Sequence, residues 1–167
     1  MTFLIILVLM VGLFWWVAAV RSHAVRTAWQ RLFVPELDNG DCGAACLAMV
    51  LRFYGREVSP QWLGVQTQYT PEEGSNLLEL SKTAEKQGLK AKNLRMPLDK
   101  LGELPLPAIL HWDGHYFVVL FRVTRTKFGI AHPGEGLLTL SRKSFLRRWA
   151  IEGEQGICLA LEPAEPD

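Results

Sequence analysis

The chain of 167 residues is short of most features that would announce a function. Its 18 Lys and Arg stand against 17 Asp and Glu, a formal charge of +1, so nothing points to nucleic acid as a partner. The 3 cysteines cannot all pair. No C-x-x-C and no Cys/His group of ligand spacing occurs, so neither a disulfide framework nor a metal site is expected. A reducing compartment fits that count. No G-x-x-x-x-G-K-[ST] is present, which removes ATP, and no cofactor is expected. Repeats and low-complexity tracts are absent as well.

Charge is also missing from one long stretch. Thr2 to Val20 is an unbroken apolar run, and no Lys or Arg precedes it. A secretory signal peptide would carry positive charge there, whereas here Arg21, Arg26 and Arg31 follow the run. At about 1.5 Å per residue, the run approaches the roughly 30 Å hydrocarbon thickness of a bilayer. Residues 1–20 are therefore expected to form a transmembrane anchor. Positive-inside bias then puts the following chain on the cytoplasmic side, with Trp15 and Trp16 near the interface. Residues 21–33 form a basic juxtamembrane segment with Val25, Trp29 and Leu32 on one side. That pattern suits a helix lying at the membrane surface, and equally a continuation of the anchor helix.

Residues 34–162 suit one globular domain. A turn-forming Asn39-Gly40-Asp41 runs into small and apolar residues, which predicts a helix from about Asp41 to Tyr54, stopped by Gly55. Cys42 falls in its first turn, where unpaired backbone N–H groups and the positive end of the helix dipole favour a thiolate. Cys42, Cys46, Met49 and Phe53 repeat on one helical face, so Cys46 reads as core. Ser59-Pro60 opens a short helix through Val65. Ser75 is expected to cap a longer one, Asn76 to Gln87, that turns Leu77, Leu80 and Ala84 inward and stops at Gly88. From residue 89 the period changes to two, with strands expected over 89–95, 107–112, 115–124, 127–131, 137–140 and 155–161. A helical turn covers 98–101, and a small helix runs from Ser141 to Trp149. The fold class is α+β: a helical lobe, then an antiparallel β lobe, with an acidic tail over 163–167.

A cysteine nucleophile needs a base and a group to orient it. Of the 4 histidines, His23 sits beside the anchor. His111 ends an apolar strand and suits a core or edge position. His115 begins the strongest strand directly after Trp112-Asp113-Gly114, a rigid platform for a base. His132 lies in the next loop.

The stretch Asp-Cys-Gly-Ala-Ala-Cys-Leu-Ala-Met-Val-Leu-Arg-Phe-Tyr-Gly (41–55) resembles the catalytic helix of the bacteriocin-processing double-glycine peptidases, papain-like cysteine peptidases of family 39. The similarity continues through 74–80, 84–91 and 104–112, and then through His115-Tyr116-Phe117-Val118-Val119-Leu120, so that it covers Leu32 to Glu162 in order. The resemblance implies a papain-like fold in which Cys42 is the nucleophile and His115 the base. It implies cleavage of leader peptides after a Gly-Gly pair, in a narrow cleft, on the cytoplasmic side of a bacterial inner membrane. An ABC-type peptide exporter is the implied partner, and Asp41 and Trp112 are taken as substrate-binding candidates. Two positions depart from the family pattern. Glu36 stands where a Gln helps bind the oxyanion, and His132 stands where an Asp orients the histidine. A neutral His132 accepting from His115 would give a Cys42-His115-His132 triad. The alternatives are a module that binds a leader or an export partner without cleaving, and other cysteine chemistry on the same frame.

Overall fold

The computed structural model describes residues 10, 19–21, 23–37, 40–70, 74 and 76–164. The chain divides into two compact units between Leu32 and Phe33. In the first, residues 19–21 and 23–32 (α1) are helical. The expected anchor falls almost wholly outside the described residues. Among the described residues no helix is long and apolar enough to cross a membrane.

The second unit opens with the helices α2 (Cys42–Phe53), α3 (Pro60–Gln66) and α4 (Leu77–Lys86). After them come β1 (Leu89–Pro97), a 3-10 helix (Leu98–Glu103), β2 (Ala108–Trp112), β3 (Tyr116–Val123), β4 (Lys127–His132), β5 (Gly136–Ser141), α5 (Arg142–Trp149) and β6 (Gln155–Pro163). Helices precede strands, as the change of period from 3.6 to 2 requires. The strands form one antiparallel sheet in the order β1-β6-β2-β3-β4-β5.

Side chains alternate across a strand, so the sheet presents two apolar faces. One carries Leu110, Trp112, Val118, Leu120 and Ile130 and packs on Phe145 and Trp149 of α5. The opposite parity, with buried Ile109, Phe117, Val119 and Leu159, meets the helical layer, where α2 lies on β3 and α4 on β1. Cys42 through Leu51 are all buried, so α2 is enclosed on every side rather than along one stripe. It emerges only at its last turn, which is why Phe53 is 45% exposed and not in the core face predicted for it.

Helix ends follow local chemistry. Ser59 and Ser141 accept from the N–H groups of Trp62 and Ser144. The cap of α4 is Asn76, whose side chain accepts from the Leu78 N–H; the expected cap, Ser75, lies outside the described residues. β6 runs on to Pro163, paired with Leu89, so the tail begins later than its composition suggested.

One close approach fixes α5 on the sheet. A Cβ placed on Gly156 would stand 2.3 Å from Trp149 Cε2, and the indole Nε1 donates to Ile157 O at 3.2 Å. Gly156→Ala is expected to cost about 3 kcal/mol or more in urea unfolding, at the upper end for overpacked cores. Gly102→Ala, where a Cβ meets nothing within 4 Å, is expected to change stability by less than about 0.5 kcal/mol.

Candidate active site

Asp41 and Cys42 are set by the start of α2. Asp41 is fully buried, and its Oδ1 accepts from the Ala44 N–H at 2.9 Å, so it is the N-cap of the helix. α3 crosses close by through Gly64, where a Cβ would stand 2.7 Å from Asp41 Oδ2. A carboxylate enclosed in this way holds the first turn and has no surface for a ligand. Asp41, expected to bind substrate, is here the cap of α2. Trp112, the other substrate-binding candidate, is fully buried, edge-on to Phe145 at 5.4 Å and beneath the Arg148 guanidinium at 5.2 Å.

Cys42 is 5% exposed and its sulfur receives the backbone N–H of Phe117 in β3. Burial pushes the thiol up to about 11. The Phe117 N–H acts in the opposite direction, while the nearby carboxylates of Asp41 and Glu36 add to the rise. The helix N-terminus therefore does not make a resting thiolate. Desolvation and two negative neighbours outweigh it, and Cys42 rests as a thiol.

His115 stands in the turn before β3, not within the strand. Asp113 and Gly114 have φ of 48° and 81°, and the His115 N–H closes the turn onto Trp112 O at 3.1 Å. This is the Asp-Gly geometry whose twist suits a hairpin. The ring Nδ1 lies 2.9 Å from the Asp113 carbonyl oxygen. A carbonyl only accepts, so Nδ1 carries the proton and Nε2 is left with a lone pair. That is the tautomer a general base needs.

His132 does not complete a chain of hydrogen bonds to His115. The Gly134 N–H donates to its Nδ1 at 3.2 Å, so the ring proton is on Nε2, which reaches Glu135 Oε1 at 3.0 Å. Both ring nitrogens are thereby engaged. The pleat explains the separation. Phe117, which meets Cys42 and stands edge-on to His111, faces α2, and His115 shares its parity. Tyr116, which stacks on His132 at 4.6 Å, packs against the α5 face. Burial lowers His132 from its ordinary range despite Glu135, so it stays neutral near pH 7.

Glu36 joins the two sides at the end of the sheet. Its N–H donates to Pro133 O at 3.0 Å, and its carboxylate lies against the Tyr116 hydroxyl. A Cβ on Gly134 would stand 3.1 Å from Glu36 Oε2 and 3.2 Å from that hydroxyl. Burial, the Cys42 sulfur and Glu36 together push the Tyr116 phenol far above its usual range. At the oxyanion position, then, the side chain offered is an acceptor. The Cys42 N–H, the backbone donor next to the sulfur, is spent on Gly40 O at 3.0 Å.

A cleft of about 470 Å³ opens between the α3–α4 region and the sheet, and it shares Phe117 with the surroundings of Cys42. His111, Phe117 and Leu77 line it, with Gln68 and Glu79 at its polar side. In the sequence Phe117 carries no role at the site, and His111 suits a core or edge position. The available signal was parity: both lie on the face that carries His115.

Residues 31–165 match the model of the Peptidase C39 family. Among curated proteins, the chain is 31% identical over 138 residues to a probable microcin-H47 secretion/processing ATP-binding protein of Escherichia coli, MchF. That alignment takes in 81% of this chain and 19% of MchF. It is 32% identical over 130 residues to the pediocin PA-1 transport/processing protein PedD of Pediococcus acidilactici, across 72% of this chain and 18% of PedD. The chain thus spans about a fifth of the length of these relatives. Among solved structures, a double glycine motif protease from an AMS/PCAT transporter, in complex with the leader peptide, superposes with a TM-score of 0.72 at 32% identity. The superposition covers 79% of this chain and 91% of that one. The peptidase domain of Streptococcus ComA, at 23% identity and a TM-score of 0.69, shares the fold. With α2 seated on β3 and this match along nearly its whole globular unit, the chain belongs to the Peptidase C39 family.

Proposed function

We propose that this chain is a cysteine endopeptidase that cleaves leader peptides after a Gly-Gly pair. The observation that carries the reading is the seating of Cys42 in the first turn of α2. There its sulfur meets the N–H of Phe117, a residue that also lines the cleft and lies two positions after His115, whose Nδ1 is held by the Asp113 carbonyl. Cys42 is the nucleophile and His115 the base. Because the thiol rests protonated, the proton moves to Nε2 as sulfur attacks the glycine carbonyl carbon, rather than before it. The imidazolium so formed returns the proton to the leaving amine, and water then resolves the thioester. The double-glycine relatives support the substrate class, and a pair without side chains suits entry past Phe117 into a confined cleft.

The same proposal places the chain at a bacterial inner membrane. It is held there by residues 1–20, linked through 21–33, with the peptidase domain of residues 34–162 on the cytoplasmic side. The support is the charge-free run and the arginines after it. An ABC-type peptide exporter is the proposed partner, on the strength of the transport/processing relatives.

A second reading, capture of a leader without cleavage, is favoured by one specific feature. Glu36 and the Gly40-bound Cys42 N–H leave the oxyanion position without a free donor. Such a donor contributes roughly 10²–10³ in kcat.

Incubation of the full chain with a Gly-Gly leader precursor is expected to give a single cut after the pair, and Cys42→Ala none. Tight binding without any cut would replace the first reading with the second. Glu36→Gln is expected to raise kcat at least about tenfold by turning an acceptor into a donor. Below its pKa the Cys42 sulfur is the unreactive thiol, so iodoacetamide labelling is expected to accelerate with pH towards about 11. It should do so at lower pH in Glu36→Gln. A rate already flat by about pH 8 would contradict the neutral thiol.

A further inference from the structure

The base in this chain is held by a main-chain carbonyl in a two-residue turn, and that turn is itself gripped from the far side of the sheet. Asp113 adopts φ of 48°, a conformation that side-chain-bearing residues hold only when their surroundings fix it. Beyond the turn itself and His115, the groups that hold Asp113 belong to one residue of α5. The Asp113 N–H donates to Arg148 O at 2.7 Å. Arg148 Nε donates to Asp113 Oδ2 at 2.8 Å, and Nη2 reaches the same oxygen at 2.7 Å. The guanidinium is fixed in turn by Glu135, through Nη1 at 3.2 Å and through Nη2, and lies over the Trp112 ring. The Arg148 side chain is 22% exposed, so these pairings are shielded more than surface ones.

We infer that Arg148 is a positioning residue for the catalytic histidine. By clamping Asp113 at its N–H and its carboxylate, it fixes the Asp113 carbonyl oxygen that holds His115 Nδ1–H, and with it the orientation of the imidazole ring. The inference rests on His115 being the base. The orienting work that resemblance assigned to position 132 is carried by this turn, and His132 is part of the same clamp through Glu135. An arginine is suited to the task, because its planar fork can hold two carboxylates at once where an ammonium cannot. An unclamped turn leaves the carbonyl free to rotate, and misplacement of a reacting group by about 1 Å can cost on the order of 10²-fold.

The test uses the full chain and two readouts. Labelling of Cys42 by iodoacetamide at about pH 7.5 is followed by site-resolved mass spectrometry, which separates it from the other two buried cysteines, Cys46 and Cys158. Leader cleavage gives kcat and KM separately. Arg148→Met is expected to slow labelling and kcat by about 10- to 100-fold with KM unchanged. Asp113→Gly, which tolerates positive φ and keeps the carbonyl but loses the carboxylate, is expected to do the same, and the double variant no more. In a His115→Ala background, Arg148→Met is expected to change labelling less than about twofold. An equal loss in that background, or wild-type rates in both single variants, would overturn the inference. If Arg148→Met fails to fold, Asp113→Gly decides it by the same two criteria. Labelling needs no leader, so a chain that cuts nothing but shows this dependence on His115 would remove the peptidase reading and keep the clamp. A chain that cuts with both single variants unimpaired would do the reverse.

Discussion

Everything at the site depends on how the first turn of α2 is seated against the start of β3. Asp41 closes that turn from inside the protein, Gly64 lets α3 pass against it, and Cys42 meets the Phe117 N–H. The depth of this seat decides the chemistry. A cysteine in the first turn of an exposed helix would be favoured as a thiolate, but here desolvation outweighs the dipole and holds the sulfur protonated. The resting site therefore holds a thiol. Activation must occur during attack, and the position of His115 matters more than its charge.

That position is decided on the other side of the sheet. The hairpin turn carries information from α5 to the α2 face: Arg148 holds Asp113, and Asp113 O holds His115 Nδ1. His132, Glu135 and Tyr116 complete a polar layer over the α5 core, and Glu36 extends it toward the cysteine. Carboxylates at 36, 113 and 135 and the guanidinium at 148 are thus parts of one arrangement. A histidine at 132 is compatible with it because it stays neutral and donates to Glu135, whereas a carboxylate there would face Glu135 directly.

Much of this was legible in the sequence. Period 3.6 before residue 88 and period 2 after it fixed the order of helices and strands. Asp113-Gly114 marked the hairpin, and the helix stops fell at Gly55 and Gly88. What could not be read was depth. Nothing in the spacing of Cys42, Cys46 and Met49 says that α2 is enclosed on all sides, so the burial of the Cys42 thiol and of Asp41 shows only in the fold. Nor does spacing give sheet parity across β3 and β4, which is what separates His115 from His132. Arg148 was invisible for a related reason: its partners at 113 and 135 are distant in sequence and meet only when α5 lies across the hairpin.

The most direct measurement is histidine-detected NMR on selectively ¹⁵N-labelled full chain near neutral pH. The geometry places a proton on His115 Nδ1, which faces a carbonyl oxygen, and on His132 Nε2, because His132 Nδ1 accepts from the Gly134 N–H. Those two opposite tautomers, unchanged in Cys42→Ala, are the predicted result. A protonated His115 imidazolium that becomes neutral in Cys42→Ala would show a resting ion pair and contradict the account.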